Sequence, residues 1–332
     1  NDNSFKITAE EEGFQIRGLV SYLDGYGTQE TTISEAKLIK INEINQPKNV
    51  LFIMVDDLRP ELFVYAQDHI KSPNIDALAT QGITFNRAYC NVPVCGASRA
   101  SILSGVRPTQ DRFLTYYSSI NEAGPQTEHI VDYFNKRGYT TISNNKITHL
   151  KNDIKSWDEE WYPKDISWRN YQDPKNRQLD REKKPAAAYE MLDVDDKVYF
   201  DGLTAQKSIE DLKKLKQSNS PFFLAVGFVK PHLPFTAPKK YWDFYKQSDI
   251  KLPTQNIFPE SAPNQANHQW GELRRYKGIP KKGPIDHEMS KTLIHAYYAS
   301  VSYVDAQIGK LLNALDLSLI HISEPTRHLA IS

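Results

Sequence analysis

The chain has little cysteine: Cys90 and Cys95 are the only two in 332 residues. Two are too few for a disulfide framework, and taken alone they read as buried small residues or one short local bridge. There is no excess of charge of either sign, since 41 Lys and Arg balance 41 Asp and Glu. Composition therefore gives no reason to expect nucleic acid or an anionic membrane surface as a partner. No run of about 18 apolar residues occurs, so no membrane-spanning helix is expected. The first residues are polar and carry no signal-peptide pattern, as expected of a mature form or a piece of a longer protein. No internal repeat is present.

What the chain does have is a change of pattern near residue 49. Residues 1–41 hold short segments in which apolar and polar residues alternate, as in half-buried strands. They predict a β-rich segment, the end of a preceding β-sandwich module or an irregular extension, with 42–48 as a linker. From residue 49 the order is strand, helix, strand, helix, which predicts an α/β layered domain. Residues 49–56 and 221–229 are apolar enough for strands covered on both faces, and 139–143 reads as a third strand. Helices are expected from Pro73, with Ser72 as cap, and over 97–104, 126–137, 203–217 and 290–315. Residues 151–200, rich in charge, Trp, Tyr and Pro, read as an insertion over the active-site face.

Two stretches carry chemistry. The first strand ends in Asp56 and Asp57, where ligand sites collect in open α/β sheets. Paired carboxylates suit a hard, oxygen-preferring cation, although an Asp-Asp pair alone also suits a solvated turn. The run 93–105 places Cys95 just before a helix and Arg99 four residues on. A helix N-terminus carrying a reactive side chain suits an anionic substrate. Together these features indicate metal-assisted chemistry on a sulfate or phosphate ester.

The pattern Cys95-x-Ala97-x-Arg99 followed by Leu103 and Gly105 resembles the signature of the formylglycine-dependent sulfatases, most of all the iduronate-2-sulfatase group and its bacterial relatives. Residues 49–60, 72–76, 221–235 and 298–305 match in order, so the resemblance covers about 48–316. It implies an alkaline-phosphatase-like sulfatase fold, with a central mixed, mostly parallel sheet between helices. It also implies that Cys95 becomes formylglycine, whose hydrate is the nucleophile, through a formylglycine-generating or sulfatase-maturating enzyme. Ca²⁺ would be held by Asp56, Asp57 and the modified Cys95. Arg99 would stabilise the nucleophile, Lys146 and Lys230 would contact sulfate, His149 would act as the base that expels it, and His232 would be the acid for the leaving alcohol. Arg59 would pair with a uronate carboxylate, or serve in a structural salt bridge. The implied substrate is a sulfated saccharide, a 2-O-sulfated uronic acid of glycosaminoglycan or a related polysaccharide, and the implied location is periplasmic or secreted. Two positions depart from the family pattern. Ala97 stands for the more usual proline, and Ser104-Gly105-Val106-Arg107 stands for Thr-Gly-Arg.

Residues 317–332 have no counterpart in the family and read as a foreign tail on a C-terminally truncated domain, 49–316, that lacks further metal ligands. Two other readings follow: a related phosphoester or phosphonate hydrolase, and an inactive polysaccharide-binding fragment.

Overall fold

The computed structural model describes residues 15–16, 19–23, 29–33, 37–38, 47–218, 220–254, 257–266, 271–317 and 327–329. It divides into two units, 1–48 and 49–332. In the first, β1 (Gln15–Ile16) pairs antiparallel with β4 (Lys37–Leu38), and β2 (Leu19–Leu23) with β3 (Gln29–Ile33). The rest of the β-rich stretch expected over 1–41, and most of the linker at 42–48, lie outside the described residues.

The second unit runs β5 (Val50–Val55), α1 (Pro73–Gln81), β6 (Gly82–Thr84), α2 (Cys95–Ser104), α3 (Ile130–Asn135), β7 (Thr140–Asn145), β8 (Glu159–Trp161), α4 (Pro174–Arg181), β9 (Tyr189–Leu192), α5 (Phe200–Leu215), β10 (Phe222–Phe228), β11 (Phe235–Pro238), α6 (Lys239–Trp242), α7 (His287–Leu317) and β12 (Arg327–Leu329). The central sheet has the order β5-β10-β7-β8, with every pair parallel. Small parallel pairs form between β9 and β11 and between β12 and β6. Of the tail expected at 317–332, the described part beyond α7 is β12, and the rest lies outside the described residues.

The two-residue period of a strand sorts the core. Leu51, Ile53 and Val55 of β5 join Phe222, Leu224, Val226 and Phe228 of β10 on one face, against α1, α5 and α7. Val50, Phe52 and Met54 join Phe223 and Ala225 on the other, against Leu103 of α2 and Val131 of α3. Every residue of β10 is buried, whereas β5, with a single strand neighbour in the described sheet, is half-buried along its length. Phe223 stacks on Phe134 at 4.4 Å and on Trp157 at 5.8 Å. Each buried side chain of this kind contributes about 1.5–3 kcal/mol.

Three local expectations change. The helix expected over 126–137 begins only after His129, whose ring accepts from the Asp132 N–H. Ser72 makes no capping bond; its hydroxyl donates to Asp76. The start of α1 is capped instead by the Asp305 carboxylate of α7, which accepts from the backbone of Asn74 and Ile75 at 3.1 and 2.8 Å. Cys90 is neither buried nor bridged: it is an exposed free thiol. Among the described residues no helix is long and apolar enough to cross a membrane.

Candidate active site

The site forms where parallel strands end and α2 begins, as open α/β sheets dictate. Asp56 continues the β5–β10 ladder through its N–H to Phe228 O at 3.1 Å. The next residue, Asp57, turns the chain at a left-handed φ of 58°. Tyr297 of α7 clamps that turn: its hydroxyl donates to Asp57 O and accepts from the Arg59 N–H, both at 2.9 Å.

Asp56 is the buried hub. Arg99 Nη2 lies 3.1 Å from its Oδ1 and Lys146 Nζ 3.3 Å from its Oδ2. Burial alone would raise this carboxyl, but Arg99, Lys146 and His232 outweigh it and hold it well below the usual carboxylate range. Arg99 also donates to the carbonyls of Lys146 and Ile147, so it ties α2 to both strand ends. Strand β10 approaches the same turn so closely that a Cβ on Gly227 would lie 2.1 Å from the Lys146 carbonyl.

Cys95 is the first residue of α2, and its Sγ is 3.3 Å from His149 Nδ1. Burial and the Asp56 charge push the thiol upward, so at neutral pH it is protonated and a weak nucleophile. Burial and Lys146 lower His149 to about 4, which leaves a neutral imidazole able to accept a proton. His232 follows β10. Its Nδ1 donates to Leu233 O at 2.6 Å, and its Nε2 faces Asp57 at 3.7 Å and Glu272 at 4.0 Å.

Cys95, Lys146, His149 and His232 line one cavity of about 820 Å³, whose wall includes Tyr162, Trp168 and Lys183; the stretch 151–200, expected as an insertion, also supplies β8 to the central sheet. Lys230 and Arg59 are placed differently. The buried Lys230 ammonium donates to His232 O and Pro234 O at 2.9 and 2.5 Å, and burial lowers it to about 8. Arg59 is exposed and pairs with Glu61 at 3.1 Å. Four contributors have no motif in the sequence: Tyr297, Glu272, Trp168, which meets the His232 ring edge-on at 5.7 Å, and Asp201, which accepts from the Val229 and Lys230 N–H groups.

For a cation, Asp56 and Asp57 offer hard carboxylate oxygens, and Asp56 Oδ2, buried 3.3 Å from the Lys146 ammonium, accepts no hydrogen bond. Among the described residues no group of three or more His, Cys, Asp or Glu is gathered for a metal. The donor type thus fits an oxygen-preferring ion on two carboxylates.

The sequence model of the sulfatase family matches residues 48–319. Iduronate 2-sulfatase of Homo sapiens is 33% identical over 289 residues, covering 83% of this chain and 52% of that protein. A sulfatase of Formosa agariphila is 30% identical over 302 residues, covering 82% and 56% respectively. The chain thus spans about half the length of the curated relatives it matches. Among solved structures, the phosphonate monoester hydrolase of Agrobacterium radiobacter superposes with a TM-score of 0.62 at 20% identity, covering 82% of this chain and 60% of that one. The architecture is the alkaline-phosphatase-like sulfatase fold.

Proposed function

Because the chain belongs to the sulfatase family, we propose that it hydrolyses sulfate esters of sulfated saccharides, with 2-O-sulfated uronic acid as the preferred unit. The observation that carries this reading is Cys95 at a helix start, 3.3 Å from a neutral His149, in one cavity with Lys146 and His232. A protonated thiol is a poor nucleophile, so the reading includes conversion of Cys95 to formylglycine by a maturation enzyme; its hydrate supplies a hydroxyl that attacks sulfur. Asp56 and Asp57 would hold Ca²⁺, which when bound polarises the ester and offsets its charge.

The chain's own groups divide the remaining work. His149 takes a proton at the position of Cys95 Sγ. Lys146, on the cavity wall, meets a sulfate oxygen. His232 gives its Nε2 proton to the departing alcohol, since Nδ1 is committed to Leu233. Lys230 and Asp201 hold the loop that presents it. The compartment proposed is periplasmic or extracellular.

The test is co-expression with a maturation enzyme, peptide mass spectrometry at Cys95, and measurement of sulfate released from a 2-O-sulfated disaccharide. We expect the aldehyde mass, sulfate release, and loss of turnover in Cys95→Ala. Full activity with an intact thiol would overturn the nucleophile. Faster turnover of an aryl phosphonate than of an aryl sulfate would favour the phosphonate-hydrolase reading.

A further inference from the structure

The cavity is far larger than one sulfate group, and part of its wall is built from two chain segments distant in sequence. Lys183 and Lys184 belong to one, Glu272 and Arg275 to the other. They are fastened together by a parallel bridge between Ala187 and Lys277 and by the Lys277 N–H donating to Ala186 O at 2.8 Å. Other charges on this wall are already matched. Arg169 pairs with Asp180 at 2.9 Å, Lys184 pairs with Glu182 at 2.7 Å, and Lys151 lies over the Tyr162 ring. Glu272 faces His232. Among the described residues Lys183 and Arg275 have no ion-pair partner. Lys183 moreover holds a left-handed φ of 54° just past the end of α4, a position that glycine ordinarily takes. Trp168, 44% exposed, lines the same cavity, carries the Arg169 guanidinium 4.4 Å from its ring centre and meets the His232 ring edge-on.

We propose that Lys183 and Arg275 form a second anion subsite, which takes a carboxylate or a further sulfate on the saccharide whose ester is cleaved beside Cys95. The inference rests on the sulfatase reading of this cavity. Trp168 gives the sugar ring an apolar surface on the leaving-group side, and the two cations fix its orientation.

The experiment compares K183A/R275A with a control of equal charge loss outside the cavity, K213A/K216A. The substrates are 4-nitrophenyl sulfate, a monosulfated uronic-acid disaccharide, its carboxyl-reduced form, and a carboxyl-reduced form with a second sulfate. K183A/R275A should raise KM about tenfold for substrates with a second anion, as expected for partly exposed charge-assisted bonds. It should leave kcat, and all constants for 4-nitrophenyl sulfate, within about twofold. Whichever disaccharide shows the rise identifies carboxylate or sulfate as the second group. Equal effects on all four substrates, equal effects of the control, or no effect would overturn the subsite. Calorimetric binding of the same disaccharides to the full chain with Cys95 left as a thiol separates the two readings. Affinity of this form that depends on Lys183 and Arg275, together with no turnover of any sulfate ester by the protein carrying the aldehyde at Cys95, would keep the subsite and sink the hydrolase. Hydrolysis with affinity unchanged by K183A/R275A would do the reverse.

Discussion

Asp201→Asn probes how the His232 loop is held. Asp201 is fully buried, and its two oxygens accept the Val229 and Lys230 N–H groups, each at 2.8 Å. Burial is the larger effect, and despite those bonds and the Lys230 charge the carboxyl is raised to about 6. Against an unfolded value of about 3.9, that is roughly two units, or about 3 kcal/mol. The folded value lies above the unfolded one, so the folded chain holds the proton more tightly. The stabilisation from that proton is fully present below about pH 4 and is lost as pH rises through about 6.

Asparagine lacks this ionisation but offers one oxygen to two donors, a loss of about 1–3 kcal/mol at every pH. The two effects nearly cancel at neutral pH, so a single melting temperature decides nothing. The expected signature is in the difference between the proteins. Between about pH 4 and 7 the unfolding free energy of the variant should gain about 3 kcal/mol on the wild type. Urea unfolding followed by tryptophan fluorescence at several pH values reads this directly. Parallel stability curves across the window would refute the burial argument. Activity gives an independent reading. Loosening the loop by about 1 Å at His232 should cost about 10²-fold in kcat on unactivated sugar sulfates. Undiminished kcat would show that Lys230 holds the loop alone.

Two further outcomes follow from the geometry. His149→Ala should release about one equivalent of alcohol per site in a burst and then stall, with steady-state turnover down about 10²–10⁴-fold; stopped-flow measurement showing a slow first turnover and no burst would reassign the residue. Gly227→Ala forces a Cβ to 2.1 Å from the Lys146 carbonyl, and should destabilise the domain by about 1–3 kcal/mol in thermal unfolding and displace Lys146; an unchanged melting temperature with unchanged KM would show that β10 yields freely.

The sheet was legible because the chain writes it twice. The apolar runs at 50–55 and 222–228 form neighbouring parallel strands, and their alternate residues face two separate helix layers. The long pattern at 290–315 is likewise inside α7, which spans His287–Leu317. Capping was less legible, because the group that caps α1 comes from Asp305, 231 positions away from Asn74. The same contrast holds at the site. Asp56, Cys95, Lys146 and His149 converge because strand ends and a helix start are where short motifs leave their side chains. Tyr297, Asp201 and Glu272 reach that place from helices and loops elsewhere, through one or two contacts each that impose no spacing on the sequence. Lys230 sits in a recognisable motif, but its ammonium is spent on two carbonyls of its own loop, which spacing alone does not reveal.

The charges around Asp56 separate two cations that meet the same carboxylate. Arg99 and Lys146 both reach the same buried carboxylate, so the three groups together carry one net positive charge. Removing Asp56 alone would strand two cations in a low-dielectric setting, and removing either cation would leave the other to balance a buried anion. The partners nevertheless differ in what else they can touch. The Arg99 side chain is only 5% exposed and is further bound to the carbonyls of Lys146 and Ile147, whereas that of Lys146 is 21% exposed and lines the cavity. The net positive charge is therefore presented to a substrate through Lys146, while Arg99 fixes where Asp56 and the Lys146–Ile147 backbone stand. A sulfate ester carries a single negative charge, which one cavity-facing cation at the strand ends is suited to meet before any bound ion adds its own attraction.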